Sequence, residues 1–359
     1  LNTLFQRMNL PPQIMPVSIC DGKNEDEMWK IFQTTFELIQ DGDELYFDLT
    51  HSFRYLPMLI LVLGNYAKFL KNIRIAHISY GNYEARNEEG SPIVDLLPLT
   101  VLQDWTFAAA DFLHNGRSEQ LIQLTQQVSK PILRDTCGQN KEASNLNYFS
   151  NSLQRITNYL QMCRGLEITH NDNIAKLRKN IENLSKEIII PLIPIVNKIT
   201  QSFKRFSADS NILNGLHAAQ WCYDNQMYQQ AITILQETVV TYICHTENLS
   251  ITDKNARNLV NTAFHVIGKG WQERENHWTL PKYGEGDEAL NKVRELIKRP
   301  IMIALSNSFE NATEIRNDFN HAGFRKQVFS PKQLIEKIEK SIKDIHDIII
   351  NEKYVHQPL

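Results

Sequence analysis

Residues 48–57 read DLTHSFRYLP, and this stretch decides the fold because it joins a strand to a helix through a polar turn. The apolar residues around it predict a short strand over 44–49 and a helix over 58–70. The turn between them carries two hydroxyls, an imidazole and a guanidinium, on Thr50, His51, Ser52 and Arg54. In open α/β sheets, a strand end followed by a helix N-terminus is where anionic ligands bind.

Two interpretations of this turn stay open from its local chemistry. In the first, Arg54 makes a bidentate contact with a phosphate or a carboxylate of a ligand. In the second, Thr50 or Ser52 caps the N-terminus of the following helix, and Arg54 is solvated.

The first hundred residues alternate between helix and strand. Apolar residues at helical spacing predict a helix over 21–40, and a second strand is predicted over 73–80. The order strand, helix, strand predicts parallel strands in a doubly wound sheet, the α/β class. The second strand ends in the polar and aromatic residues Tyr80, Gly81 and Asn82, which we expect at the same sheet edge as the turn at 50–54, forming a cleft.

From about residue 97 onward the pattern is helical only, which predicts an all-α second half. Helices are predicted over 99–114, 119–130, 144–164, 173–206, 212–245 (with a break near 225–226), 289–310 and 331–351. A loop is predicted over 271–286, and the aromatic residues Trp221, Tyr223 and Tyr228 are expected to pack in the core. We divide the chain into three regions, 1–110, 111–206 and 207–359.

The net charge, the cysteines and the apolar runs limit the classes of protein to which this chain can belong. The formal net charge of -3 excludes a global basic field, so any nucleic-acid binding must come from a local patch. The five cysteines are scattered without a CxxC pair, which favours a reducing cytoplasm and argues against disulfides or a thiolate zinc site. No signal peptide is visible, and the longest apolar run is far shorter than a membrane span. The chain begins with Leu1 rather than Met, which suggests that an N-terminal piece is absent.

Residues 316–323, RNDFNHAG, form the second candidate site. A histidine can exchange a proton with the 2′-hydroxyl or the leaving oxygen of RNA, while an arginine stabilises charge on the phosphorus oxygens. Arg316 and His321 could therefore cleave RNA without a metal, and Asn317 lies on the same helical face as His321. The alternative is a solvated helix end that His321 and Gly323 terminate. The spacing occurs about as often as chance predicts, and Arg164 with His170 offers a second pair.

Together the two segments resemble those of CARF–HEPN ribonucleases, the Csx/Csm-type CRISPR-associated proteins of type III systems. The CARF signature resembles residues 48–57, and other CARF residues are similar to 21–22, 27–29 and 80–84. The HEPN motif resembles residues 316–323. The resemblance implies a Rossmann-like CARF sensor over 1–110 without its first strand, a helical linker over 111–206 and an all-α HEPN domain over 207–359.

The resemblance also implies a function. CARF domains dimerise and bind a cyclic oligoadenylate, and binding activates a HEPN dimer that cleaves single-stranded RNA without a metal, leaving a 2′,3′-cyclic phosphate. Thr50, His51, Ser52 and Arg54 would contact the phosphates and ribose of the ligand, and Tyr80, Gly81 and Asn82 its adenine. Arg316 and His321 would be catalytic and Asn317 would assist. The expected partners are a second copy or a higher homo-oligomer, the RNA and the cyclic ligand, with tetra-adenylate preferred, and no membrane. The expected role is antiviral defence in the cytoplasm.

Two other functions stay open at this point. The chain could be a nucleotide-sensing regulator whose HEPN half is inactive and only dimerises or binds RNA. Alternatively, the CARF pocket could cleave its own cyclic ligand with the help of His51 or Ser52, so that the protein switches itself off.

Overall fold

The computed structural model describes residue 7 and residues 15–50, 55–170, 172–184, 193–324, 326 and 328–351. The chain divides into two compact units, Leu1–Asp104 and Trp105–Leu359. We call them the N-terminal unit and the helical unit. The region boundaries at 110 and 206 stay predictions.

The N-terminal unit contains a three-stranded sheet in the order β1-β2-β3. Its elements are α1 Glu25–Leu38, β1 Glu44–Asp48, α2 Leu56–Lys71, β2 Arg74–Gly81, a 3-10 turn Tyr83–Ala85, β3 Ile93–Asp95 and the start of α3 Leu97–Asn115. Strands β1 and β2 are parallel, with Glu44 opposite Arg74 and Asp48 opposite Ser79. The predicted parallel strand–helix–strand order is therefore confirmed.

The third strand was not predicted. Strand β3 pairs antiparallel with β2, so the sheet is mixed. The connection between them is a short turn with an isolated bridge between Asn87 and Gly90, rather than a helix. A short connection can join only antiparallel neighbours, because a parallel neighbour needs a long crossover.

Helix α2 packs closely on the sheet. The core of this unit contains seven buried apolar residues: Ile39, Leu49, Leu63, Ala67, Ile73, Ile75 and Ile78. A Cβ atom on Gly64 would lie 2.6 Å from Cδ1 of Ile75, so the helix approaches β2 at a position where only glycine fits without displacement. Helix α2 is thus in close contact with β2 of the sheet.

The helical unit contains α-helices and one 3-10 turn over the part of it that the structure describes. Beyond the end of α3 its helices are α4 Glu119–Asp135, α5 Lys141–Gln161, α6 Gly165–Thr169, α7 Asn173–Glu182, α8 Ile193–Ser202, α9 Asn214–Asp224, α10 Tyr228–Thr246, α11 Lys254–Gly268, α12 Glu288–Leu296, α13 Pro300–Asn320 and α14 Pro331–Asn351. The stacked rings of Phe264 and Phe309, 4.1 Å apart, join α11 to α13. Trp221 is buried and stacks on Phe203, which confirms its predicted core position.

Several helix boundaries differ from the prediction. The predicted helix 289–310 is two helices, because Pro300 lacks an N–H group and starts a new helix. The predicted helix 173–206 contains α7 and α8, with residues 185–192 outside the described part. Helix α11 was not predicted. The break near 225–226 is confirmed, since Gln226 has φ 61° between α9 and α10. Within the described residues, no helix combines the length and the apolarity that crossing a membrane requires.

Candidate functional site

The carboxyl ends of β1 and β2 are joined by a hydrogen bond. The backbone N–H of Gly81 donates to Oγ1 of Thr50 at 2.9 Å, and the N–H of Thr50 donates to Oδ1 of Asp48 at 2.9 Å. A Cβ on Gly81 would lie 2.8 Å from Cγ2 of Thr50, so the two strand ends are in close contact. The structure thus places Thr50 and Gly81 together at one sheet edge. His51, Ser52 and Arg54 lie outside the described residues.

The other two residues expected at this edge, Tyr80 and Asn82, flank Gly81 in the sequence. Tyr80 is half-buried and packs against the core of the N-terminal unit. Asn82 starts the 3-10 turn, and its side-chain oxygen accepts a hydrogen bond from the N–H of Ala85 at 3.3 Å. Asn82 therefore orders the loop after β2, and its amide nitrogen is a donor available at the edge.

Sequence reasoning missed one close approach at the start of α2. Tyr55 is the residue before that helix, and its hydroxyl oxygen occupies the space that a Cβ on Gly22 would fill. Gly22 also has φ 71°, so glycine is required there for two reasons. Among the described residues the buried Tyr55 hydroxyl has no hydrogen-bond partner. The signal in the sequence was the Asp21-Gly22 pair ahead of α1.

Arg316 contacts helix α10 through its guanidinium. Nη1 of Arg316 donates to Oε1 of Gln236 at 2.8 Å and lies 3.1 Å from Oε1 of Glu237. The other oxygen of Glu237, Oε2, accepts from Nη2 of Arg257 at 2.6 Å. Gln236 is itself held, because its Nε2 donates to the hydroxyl of Thr313 at 2.7 Å. Two arginines therefore share one carboxylate.

His321 lies at the end of the same helix but in a different environment. It is the C-cap of α13, and its side chain is exposed. Over the described part of the chain its imidazole has no hydrogen-bond partner. Asn317 is exposed one turn earlier, and Gly323 has φ 74° and donates to the carbonyl of Asp318. This geometry is the solvated helix end that the alternative interpretation of residues 316–323 predicts. Among the described residues of this single chain, no contact joins Arg316 to His321.

The second pair, Arg164 and His170, lies at the two ends of the short helix α6. His170 lines a cavity of about 320 Å³ in the helical unit, together with Glu237 and Arg257. Burial lowers the pKa of His170, and the neighbouring His245 lowers it further. The imidazole is therefore neutral at physiological pH.

The charge of Arg316 acts on Cys163, a residue of the wall of the same cavity. Burial raises the pKa of the Cys163 thiol in the cavity wall, while the positive charges of Arg164 and Arg316 lower it. Sequence reasoning had assigned Arg316 and His170 to separate candidate pairs, but the structure places both around Glu237 and Cys163. No group of three histidine, cysteine or acidic residues within the described ranges could hold a metal ion.

Comparison with known proteins gives two similarities. Residues 101–212 match the model of a family described as CRISPR-associated protein MJ1674, second domain. The chain is 23% identical over 331 residues to CRISPR-associated protein MJ1674 of Methanocaldococcus jannaschii. This match covers 90% of the chain but only 45% of that protein, so the chain spans about half the length of the curated relative.

Proposed function

We propose, from the similarity to CRISPR-associated protein MJ1674, that this chain acts in a CRISPR system as a ligand-gated ribonuclease. The N-terminal unit binds a cyclic oligoadenylate, and the helical unit then cleaves single-stranded RNA without a metal. One observation carries the proposal: Arg316 and His321 end a single helix in a chain that is similar over 90% of its length to a CRISPR-associated protein.

The sheet edge supports the sensor function. Thr50, Gly81 and Asn82 meet at the carboxyl ends of parallel strands, ahead of a helix whose N-terminus attracts anions. The phosphates of a cyclic oligoadenylate are anionic, and its adenines offer donors and acceptors to Asn82 and the neighbouring backbone. His51, Ser52 and Arg54 complete this proposed site.

The end of α13 supports the cleavage chemistry. The exposed His321 takes the proton from the 2′-hydroxyl, whose oxygen forms a bond to phosphorus while the bond to the 5′-oxygen breaks. The leaving 5′-oxygen takes up a proton from an imidazolium, which returns the histidine to its neutral form. Arg316 stabilises the negative charge on the other phosphorus oxygens. The products are a 2′,3′-cyclic phosphate and a 5′-hydroxyl. The reaction therefore consumes no water, and the two side chains perform it without a metal ion.

The arrangement of these two residues favours a composite site of two copies. Five residues correspond to about 140° around a helix axis, so Arg316 and His321 leave the helix in different directions. In a dimer, residues of both copies can line a shared cleft. The cyclic ligand then activates cleavage by favouring the dimer geometry in which both copies contribute, since a ligand shifts only an equilibrium whose states it binds differently.

A second candidate function is favoured by the Arg316–Glu237 ion pair. A carboxylate that neutralises Arg316 weakens its attraction for a phosphate. In this alternative the chain is a nucleotide-sensing regulator, and its helical unit dimerises or binds RNA without cleaving it.

Cleavage of a fluorophore–quencher RNA in EDTA tests the proposed function. The chain is assayed alone, with cyclic tetra-adenylate and with cyclic hexa-adenylate. We expect cleavage with one ring only, tetra-adenylate, and loss of cleavage in Arg316→Ala. The matched control is Arg164→Ala, which removes the arginine of the other pair and should keep activity.

Three results would contradict the proposal. Tight binding of a ring without cleavage would favour the regulator. Cleavage that survives Arg316→Ala but not Arg164→Ala would move the active site to the second pair. Cleavage that EDTA abolishes would exclude the metal-independent mechanism.

A further inference from the structure

A cavity of about 320 Å³ in the helical unit lies between α6, α10 and the start of α11. Binding sites for small molecules typically have volumes of about 300–1,000 Å³. Its lining combines the apolar side chains of Leu166, Ile234 and Ile251 with hydrogen-bonding ones, including His170 and five threonines. The cavity therefore fits a ligand that has both an apolar face and hydrogen-bonding groups at its edge.

The guanidinium of Arg257, a cation in the cavity wall, already has hydrogen-bond acceptors within the protein. All four Nη hydrogens of Arg257 have acceptors: the hydroxyl of Thr241, the carbonyl of Ile251, and both the carbonyl and the carboxylate of Glu237. The hydroxyl of Thr241 donates in turn to the carbonyl of Glu237 at 2.8 Å. A phosphate would have to displace these bonds, so the cavity is poorly suited to an anion.

His170 offers an acceptor that is free. Oγ1 of Thr169 lies 2.8 Å from the carbonyl of Gly165 and 2.7 Å from Nδ1 of His170, and we assign its single hydrogen to the carbonyl, which can only accept, so that Nδ1 donates to Oγ1. Nδ1 of the neutral ring therefore carries the proton, and Nε2 is an acceptor. Within the described ranges Nε2 has no protein partner, and neither has the hydroxyl of Thr233.

We propose that this cavity binds one nucleobase of the substrate RNA, and that Nε2 of His170 selects cytosine or adenine, the bases with an exocyclic amine at the position where uracil and guanine carry a carbonyl. Proteins bind single-stranded RNA by taking up unstacked bases between apolar side chains and forming hydrogen bonds to the base edges. The amine donates a hydrogen bond to Nε2. The C4 carbonyl of uracil is an acceptor, as Nε2 is, so these two atoms form no hydrogen bond.

The position of the cavity agrees with this function. Glu237 lines the cavity, and its Oε1 lies 3.1 Å from Nη1 of Arg316. A base in the cavity therefore lies one side chain away from the arginine proposed to contact phosphate, and the backbone phosphate of that nucleotide is one ribose away from the base. The inference rests on the proposed function for its substrate, but binding of a free base does not depend on cleavage.

Equilibrium binding of cytidine and uridine to the full chain, measured by calorimetry, tests the site. The two nucleosides differ at C4, where cytidine carries the amine and uridine a carbonyl. Neither carries a phosphate, and neither is an adenosine that the proposed sensor site would bind. We expect cytidine to bind roughly tenfold more tightly than uridine, the size of effect that an unsatisfied buried acceptor produces. Inorganic phosphate should not displace cytidine.

Two variants locate the binding. Gly165 lines the cavity, and a Cβ there meets no atom within 4 Å, so the position has room for a side chain to begin, and the added bulk of Gly165→Leu should abolish cytidine binding. His170→Ala should equalise the affinities for cytidine and uridine. His217→Ala is the control, because His217 is a half-buried histidine that lines a different cavity.

Undetectable cytidine binding, or binding that Gly165→Leu leaves unchanged, would overturn the proposal. Equal affinities for cytidine and uridine in the unaltered chain would overturn the role of His170. Cytidine binding that Gly165→Leu abolishes, in a chain that cleaves no RNA, would support the base site and reject the proposed ribonuclease. In a chain that does cleave, sequencing of the products should show cuts next to cytosine or adenine, and His170→Ala should remove this preference.

Discussion

The hydroxyl of Thr50 accepts a hydrogen bond from the backbone N–H of Gly81 at 2.9 Å. These residues are 31 positions apart and end the two parallel strands of the sheet. The contact fixes the spacing of the two loops that are proposed to bind the cyclic ligand, so its loss should affect both stability and ligand affinity.

Thr50→Val should destabilise the N-terminal unit and weaken binding of cyclic tetra-adenylate. The methyl group cannot accept the Gly81 N–H, and an unsatisfied buried donor costs about 1–3 kcal/mol. Thermal unfolding and calorimetric titration measure the two effects. Thr50→Ser should retain both properties, and Thr35→Val is the matched control, because the Thr35 hydroxyl only donates to the carbonyl of Ile31 within α1. Equal losses in the Thr35 and Thr50 variants would refute the special role of the strand ends.

Glu237→Gln should lower kcat for RNA more than it changes KM, because Glu237 holds the guanidinium of Arg316 in place. The glutamine keeps the shape of the side chain but removes the charge that Arg316 and Arg257 share. Steady-state kinetics on a short RNA give both constants. Glu310→Gln removes a half-exposed carboxylate of α13 that lies 3.7 Å from Lys269 and serves as the control. A rise in kcat would instead show that Glu237 restrains Arg316 in an inactive state.

His321→Ala should abolish cleavage, whereas His170→Ala should leave most of the rate and change only the base preference. The exposed imidazole of His321 can reach an RNA phosphate, while that of His170 is held by Thr169 in the cavity. Single-turnover cleavage at saturating ligand measures the rates. His346→Ala removes another partly exposed histidine of the helical unit and should have no effect. The reverse ranking of the first two variants would identify His170 as the catalytic base.

Folding stability should fall as the pH decreases below about 6.5. Burial lowers the pKa of His170 and of His217 from the ordinary value of 6.5, so the unfolded chain binds protons that the folded chain does not. Their stabilising contribution is therefore complete above pH 6.5 and is lost as the pH falls toward the folded-state pKa values. Urea unfolding at pH about 7.5 and about 5.5 should show a smaller decrease for His217→Gln than for the unaltered chain. An equal decrease would exclude His217 as a source of the dependence.

Thiol reagents should distinguish the cysteines by burial. Cys137 is exposed and should react first in the folded chain. Burial raises the pKa of the Cys244 thiol to about 11 and raises that of Cys222 as well, so both remain protonated and should react only after unfolding. Mass spectrometry after timed labelling gives the order. Rapid labelling of Cys222 in the folded chain would contradict the packing of α9.

The sequence alone predicted local structure well where one residue pattern dominates. The apolar residues of β1, α2 and β2 predicted their order and their parallel pairing, because a strand–helix–strand unit has one common handedness and direction. Helix α11 was missed because three asparagines within 255–261 weaken its intrinsic helix propensity. Its buried residues Leu259, Ala263 and Phe264 stabilise it through packing instead.

The residue types of the candidate site could be predicted from the sequence. The contacts between these residues could be seen only in the tertiary structure. The residue types of Arg316 and His321 suggested RNA chemistry, because proton transfer and charge stabilisation depend on functional groups that a sequence displays. The contact between Arg316 and Glu237 joins residues 79 positions apart, and the cavity beside it is formed by three separate segments. Such contacts depend on how helices pack, and the periodicity of one helix carries no information about which residue of another it will meet.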